Sequence, residues 1–224
     1  MVPGVKLVVL GKQGAGKGTQ AVALSHHYVV PHIATGDMLR AAVRSGTEFG
    51  KNARAIMDRG ELISDEMVME MVENRLTEAD VRARGFVLDG CPRTVHQAKM
   101  LANLLDREEL DAALNIDVPT AEVLGRLSQR RVCVDCGTNY STSSPPRVNW
   151  TCDICFGEVI QREDDTEEAI RTRLELYERE TQPLIAWYEE QGQLVQVDGV
   201  GVPDMVLRRI INSIEVHRNG RPTA

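Results

Sequence analysis

The chain has 224 residues, a net charge of -7 and five cysteines. That length suits one domain of ordinary size with room for an insertion, and the acidic balance argues against binding nucleic acid by charge alone. Hydrophobic residues make up 42% but aromatics only 4%, so the core must be built from Val, Leu, Ile, Ala and Met. No run approaches the roughly 18 apolar residues of a membrane helix, and residues 1–10 show no apolar stretch ahead of a small-residue cleavage site. A cytoplasmic protein with no membrane partner is expected, its cysteines reduced rather than paired as disulfides.

Residues 5–10 form a short apolar run ending at Gly11, as suits a strand buried on both faces of a parallel sheet. A Gly-rich turn follows, then a helical stretch over about 17–27. Three further short apolar runs occur at 86–88, 113–118 and 194–197, with a weaker strand signal at Ile33. Helical patterns lie between them at 65–79, 94–105, 120–131 and 203–216. This alternation predicts right-handed βαβ units: an α/β fold around a parallel sheet, counted here as five strands. Two stretches break the pattern. Residues 36–79 are long, polar and helical; 132–165 are rich in Cys, Pro, Ser, Thr and Asp and read as non-helical. Both are expected to be insertions over the ends of the sheet. A helix over 166–191 follows, with Ile170, Leu174 and Tyr177 marking its apolar face and Pro183 expected to kink or break it.

The turn after the first strand reads Gly11-Lys12-Gln13-Gly14-Ala15-Gly16-Lys17-Gly18-Thr19. Placed between a strand and a helix, such glycines let backbone N–H groups curl around phosphate oxygens at a helix N-terminus. Lys17 can reach the phosphates where charge builds during transfer. The general motif wants Ser or Thr directly after the Lys; here Gly18 intervenes.

That departure carries a resemblance. The loop with Gly18, the segment Ala34-Thr35-Gly36-Asp37-Met38-Leu39-Arg40, the run Leu88-Asp89-Gly90-Cys91-Pro92-Arg93-Thr94, and the pair of segments around Arg162 and Arg173 together resemble the adenylate kinases along nearly the whole chain. The resemblance implies a P-loop three-layer core (1–33, 64–128 and 166–224), an NMP-binding insertion (34–63) and a lid insertion (129–165). It implies Mg²⁺-dependent transfer of the terminal phosphoryl group of ATP to AMP, giving two ADP and serving adenine nucleotide balance, by a monomer. Gln13 stands where Pro is common in that family and Cys91 where Phe is common; both are expected to alter packing rather than chemistry.

Phosphoryl transfer needs alignment and charge neutralisation more than covalent help. Asp89, at the end of a buried strand, suits a Mg²⁺ anchor acting through the ion's water shell. Arg40, Arg93, Arg130, Arg162 and Arg173 correspond to the family's phosphate clamps, and the planar guanidinium binds phosphate oxygens bidentately. Helix phase separates two neighbours: Arg173 follows Ile170 by three residues and leans inward, whereas Arg171 points away, toward Glu167 or Glu175. The resemblance puts Gly14, Ala15, Gly16, Lys17, Gly18, Thr19, Arg130, Asn139, Tyr140 and Gly201 around ATP. It puts Thr35, Arg40, Glu61, Leu62, Ile63, Gly90, Cys91, Pro92, Arg93, Gln97, Arg162 and Arg173 around AMP. Gln97 lies one helical turn after Arg93, so its amide can pair with an adenine edge. Thr94, where pyrimidine-specific relatives carry Asn, favours AMP over UMP or CMP.

Cys133-x-x-Cys136 and Cys152-x-x-Cys155 bracket fifteen residues, a strong signal for tetrahedral Zn²⁺. Four thiolates leave no open position, so the metal is structural; Fe²⁺ is the other metal such a set can hold. A nucleic-acid-binding ribbon is disfavoured by Asp135, Asp153 and Glu158, with Arg147 the one cation over 132–160. The pattern resembles the long-lid, zinc-bearing adenylate kinases, where metal stiffens a lid too small for its own core.

Overall fold

The structure is a computed structural model that describes residues 4–46, 48–58, 63–105, 110–162 and 165–220. In chain order the elements are β1 (Val5–Leu10), α1 (Lys17–Tyr28), β2 (His32–Ala34), α2 (Thr35–Arg44), α3 (Glu48–Asp58), α4 (Asp65–Leu76), α5 (Ala79–Arg84), β3 (Gly85–Asp89), α6 (Val95–Leu105), β4 (Ala112–Asp117), α7 (Thr120–Gln129), β5 (Arg130–Cys133), β6 (Asn139–Ser141), β7 (Val159–Ile160) and α8 (Glu167–Leu176). A π-helical turn (Tyr177–Thr181), α9 (Pro183–Glu190), β8 (Leu194–Asp198) and α10 (Pro203–Gly220) complete it.

The expected parallel sheet is present, with five strands in the order β2-β3-β1-β4-β8. Its three central strands, β3, β1 and β4, are largely apolar on both faces because helices cover both. On one face α1, α7 and α10 pack Leu24, Leu127 and Ile210 onto Leu7, Val9 and Leu114. On the other, α4, α6 and α9 pack Met69, Leu101 and Leu184 onto Val8, Leu88 and Ala113. Register brings Val9, Asp89 and Ala34 to one level. The loop after β1, the Asp89-Gly90 corner and the start of α2 therefore meet at the carboxyl edge of the sheet, where open α/β sheets bind ligands.

The polar stretch after β2 holds α2 and α3, packed on each other. The second irregular stretch holds a three-stranded antiparallel sheet, β6-β5-β7. Here one expectation needs correction. The helical pattern over 120–131 runs through Arg130 and Arg131, but α7 ends at Gln129 and Arg130 turns extended. Pairing of Arg130 with Ser141 and Arg131 with Tyr140 overrides the periodicity. The break expected at Pro183 takes the form of the π turn. Proline has no N–H for the carbonyl four residues back and crowds it, and Gln182 N–H donates instead to Tyr177 O, five residues back, at 2.7 Å. No helix among the described residues is long and apolar enough to cross a membrane.

Candidate functional site

The phosphate loop opens onto α1 with Gly16 as its cap, at φ +94°. Gly14 is also left-handed, at φ +84°, and a Cβ there would stand 2.8 Å from Leu127 Cγ, so α7 packs directly on the loop. Lys17 Nζ donates to Gly11 O at 2.8 Å and Lys12 O at 2.9 Å. Burial lowers its pKa from 10.5 to about 8; Arg93 and Arg130 add to the shift and Asp89 opposes it. Burial also opposes charge on Asp89, but His32, Lys17 and Arg93 outweigh it and hold the carboxyl below its ordinary value. His32 Nε2 stands 3.9 Å from Asp89 Oδ2, an ion-pair rather than a hydrogen-bond distance. Asp89 is therefore ionised at neutral pH, and a low-set carboxylate beside a phosphate loop is a donor that fits hydrated Mg²⁺. A Cβ on Gly18 would lie 3.5 Å from Asp89 Oδ2 and 3.6 Å from Asn139 Nδ2. Gly18 is thus the point where core carboxylate and lid approach each other.

Arg93 is half-buried; desolvation first, then Arg173, lowers its pKa, and Asp89 pulls the other way. Its Nε donates to Gly90 O at 2.8 Å, so the guanidinium is aimed by its own turn. Arg173 and Arg130 share Asp165, whose side chain is fully buried. Arg130 Nε donates to Asp165 Oδ2 at 2.8 Å and its Nη2 donates to Oδ1. Arg162, half-buried, accepts on its carbonyl from Asp165 N–H at 3.1 Å. Arg171 pairs with Glu167 at 3.3 Å in solvent, as helix phase required. Arg40 pairs with Asp37 at the rim. Lys17, Arg93, Arg130, Arg173 and Asp89 form one electrostatic neighbourhood at the sheet edge.

On the acceptor side, Thr35 is buried and its hydroxyl donates to Asp89 O at 3.3 Å. Ile63 is buried; Glu61 and Leu62 lie outside the described residues. Gly90 is left-handed, Cys91 is buried against Met69, and the Cys91-Pro92 peptide is cis. Burial pushes the Cys91 thiol up to about 12, which keeps it protonated and inert. Gln97 is 2% exposed. Its Oε1 accepts from Arg93 N–H at 2.7 Å and its Nε2 donates to Asp65 Oδ1 at 2.7 Å. The Cys91 thiol donates to the same Oε1 at 3.7 Å, so the amide holds the frame of the site and offers one N–H.

In the lid, Cys133 and Cys155 sulfurs lie 3.4 Å apart, Cys136 and Cys152 sulfurs 3.6 Å, and all four within 4.8 Å. A tetrahedron with Zn–S of about 2.3 Å has sulfurs about 3.8 Å apart, so these residues fit the metal. Strand alternation splits the pair expected to meet ATP. Asn139 faces Gly18, while Tyr140 OH donates to Cys152 Sγ at 3.4 Å. Burial opposes the Cys152 thiolate, but Tyr140 and the N–H groups of Cys155 and Ile154 outweigh it and bring its pKa to about 6.

Three residues at this edge went unnoticed in the sequence as site residues: Asp165, Gln13 and Arg126. Arg126 Nη1 donates to Ala15 O at 3.4 Å and Nη2 to Gly199 O at 3.2 Å, tying the phosphate loop to the turn that carries Gly201. Its one local signal is phase, next to the buried Leu127. Gly201 is left-handed, and the turn is also held by Arg209 Nη1 on Val200 O at 2.7 Å.

A strand-loop-helix phosphate cradle, a low-set carboxylate one strand away and convergent arginines define a nucleotide phosphotransferase of the P-loop class. The family model described as adenylate kinase matches residues 9–193. The chain is 46% identical over 214 residues to an adenylate kinase of Clostridium novyi, covering 94% of this chain and 99% of that one. It is 49% identical over 214 residues to one of Thermodesulfovibrio yellowstonii, at 94% and 99% coverage. It is 49% identical over 205 residues to one of Methanosarcina acetivorans, at 90% and 94% coverage. The chain belongs to the adenylate kinase family, and so to the nucleoside monophosphate kinases.

Proposed function

We propose that the protein catalyses ATP + AMP ⇌ 2 ADP with Mg²⁺, and that the residues just described divide between donor, acceptor and clamp. The carrying observation is that the phosphate loop, the Asp89-Gly90 corner and the start of α2 meet at one sheet edge, where a Cβ on Gly18 would lie 3.5 Å from Asp89 Oδ2 and Lys17, Asp89 and Arg93 feel one another's charge. The loop residues Gly14 to Thr19 hold the donor phosphates on backbone N–H groups, with Lys17 on the terminal ones. Asn139 and the turn with Gly201 flank the donor. Mg²⁺, when bound, neutralises phosphate charge; Asp89 holds it through water. Arg93, with Arg40 and Thr35, holds the acceptor, and Gln97 presents its remaining amide N–H to the base. Arg130, Arg162 and Arg173 surround the transferring group, where fixed charge favours the transition state.

Closure of 129–165 and 34–63 over the core excludes water, which would otherwise take the phosphoryl group. The described geometry supports this: a Cβ on Gly137 of the lid would be 3.5 Å from Asp37 Oδ2 of α2. Structural Zn²⁺ at the four cysteines keeps the lid rigid enough to move as a unit. A monomer acting in the cytoplasm on ATP, AMP and ADP, without nucleic acid or membrane, completes the reading. ADP formation with ATP and each of AMP, GMP, CMP and UMP tests it. AMP should lead the panel; a stronger response to a pyrimidine nucleotide overturns the acceptor assignment.

A further inference from the structure

Gln13 sits in the phosphate loop where the resemblance leads one to expect Pro. Its side chain crosses to the base of the lid, where the segment returns to the core: Nε2 donates to Asp165 Oδ1 at 3.2 Å. The direction of the amide is dictated, because a carboxylate held by Arg130 can only accept. Oδ1 of Asp165 is thus shared by Gln13, Arg130 Nη2 and, at 3.8 Å, Arg173 Nη1. Two guanidinium groups at this spacing repel each other, and the buried Asp165 is the anion common to both. Gln13 is the neutral donor that fixes this anion to the phosphate loop.

Gln13 Oε1 is buried with no hydrogen-bond partner among the described residues, a destabilising arrangement that Pro would avoid. A side chain with one end so placed is explained by what the other end does. The loop itself does not depend on Gln13. Lys12 Nζ anchors it separately, donating to Thr120 Oγ1 at 3.0 Å and pairing with Glu178 at 3.3 Å.

We propose that Gln13 is a positioning residue: through Asp165 it registers Arg130 and Arg173 on the phosphates that the loop holds. This rests on the reading of those arginines as clamps. Because the clamp acts on the transferring group, its loss appears in kcat rather than in binding of the nucleotides.

Gln13→Leu keeps the bulk and removes the donor; Gln13→Pro removes both ends. Each should lower kcat about three- to thirtyfold, with KM for ATP and AMP within about twofold and melting temperature unchanged or raised. Gln13→Glu, which sets a second carboxylate against Asp165, should lower kcat further. Wild-type kcat in Gln13→Leu overturns the proposal, as does a raised KM for ATP with a lowered melting temperature at intact kcat. The Arg130 Nε–H resonance reads the same tie without turnover. Faster solvent exchange in Gln13→Leu supports the assignment, and unchanged exchange overturns it. An inactive wild type that still shows this response would overturn the kinase reading alone.

Discussion

Asp65 Oδ1 accepts from Gln97 Nε2 at 2.7 Å, joining the first turn of α4 to the first turn of α6 across 32 residues. Its other oxygen accepts from Thr94 Oγ1 at 2.8 Å, so one carboxylate sets both side chains on the acceptor side. Asp65→Asn turns one acceptor oxygen into an N–H₂ donor, which Gln97 Nε2 cannot face and the Thr94 hydroxyl can face only by accepting, giving up the bond it donates. Losing a charge-assisted bond of about 1.5–3 kcal/mol should raise KM for AMP roughly tenfold to a hundredfold. KM for ATP should stay near wild type. Steady-state kinetics with each substrate varied in turn checks this; equal rises in both would remove Asp65 from the acceptor site.

Lys17 gives a pH dependence of definite sign. Its folded pKa is about 8 against an ordinary 10.5, with burial the main cause. Through that window the unfolded chain binds a proton that the folded chain does not, so stability rises with pH. Lys17→Met lacks the group and should lose this part of the slope, as thermal melts across about pH 7.5 to 10.5 would show. The same substitution removes the phosphate-loop cation, and kcat should fall by about 10² or more. An identical slope in both proteins would contradict burial as the cause.

Arg171 and Arg173 are two residues apart and should behave oppositely. Arg173→Ala removes a charge beside Asp165 and Arg93 and should cut kcat by about 10²–10³. Arg171→Ala removes an exposed helix pair with Glu167, a contact worth about 0.3–0.5 kcal/mol, and should leave kcat within about twofold. Comparable losses in the two would mean that helix phase does not select the functional arginine.

That contrast marks how far the sequence reaches. The phosphate loop, the buried strands, the metal knuckles and the inward phase of Arg173 all follow from local spacing, because each is set by residues within one or two turns of itself. Asp165, Gln13 and Arg126 were not legible, because the bonds that bring them to the site span 35 to 152 residues. Nothing in a helical or strand period reports such a contact. Arg130 stands out through the resemblance as a candidate phosphate clamp but not as a strand residue, since the helical pattern before it runs on and only pairing with β6 ends it. Gln97 shows the same limit: its spacing from Arg93 was readable, its bond to Asp65 was not.

The four-cysteine site predicts that metal and lid fold together. Cys133→Ser should lower metal content and destabilise the lid while leaving chemistry at low temperature comparatively intact. Tyr140→Phe removes the hydroxyl that donates to Cys152 Sγ and accepts from Asp153 N–H at 2.8 Å; outer-shell losses of this kind weaken metal binding about 10- to 100-fold. Competition with a chelator, read by absorbance, measures both. A full equivalent of zinc in Cys133→Ser would count against the site.

Phe156 closes the second knuckle with a left-handed backbone, φ +65°, and its side chain is 79% exposed. Its N–H donates to Cys152 O at 3.0 Å, so the turn, not the ring, requires this conformation. A non-glycine residue there costs about 1–2 kcal/mol, whereas glycine's extra freedom in the unfolded chain costs about 0.5–1 kcal/mol. Phe156→Gly should therefore stabilise the lid by about 0.5–1 kcal/mol, since little packing is lost with so exposed a ring. Trp150 is also left-handed, at φ +56°, but is only 38% exposed and lies 6.0 Å beneath the Arg131 guanidinium. Trp150→Gly gives up that contact and should gain nothing. Denaturant titrations read through metal release compare the two variants; stabilisation by Trp150→Gly but not by Phe156→Gly would show that backbone strain does not govern this turn.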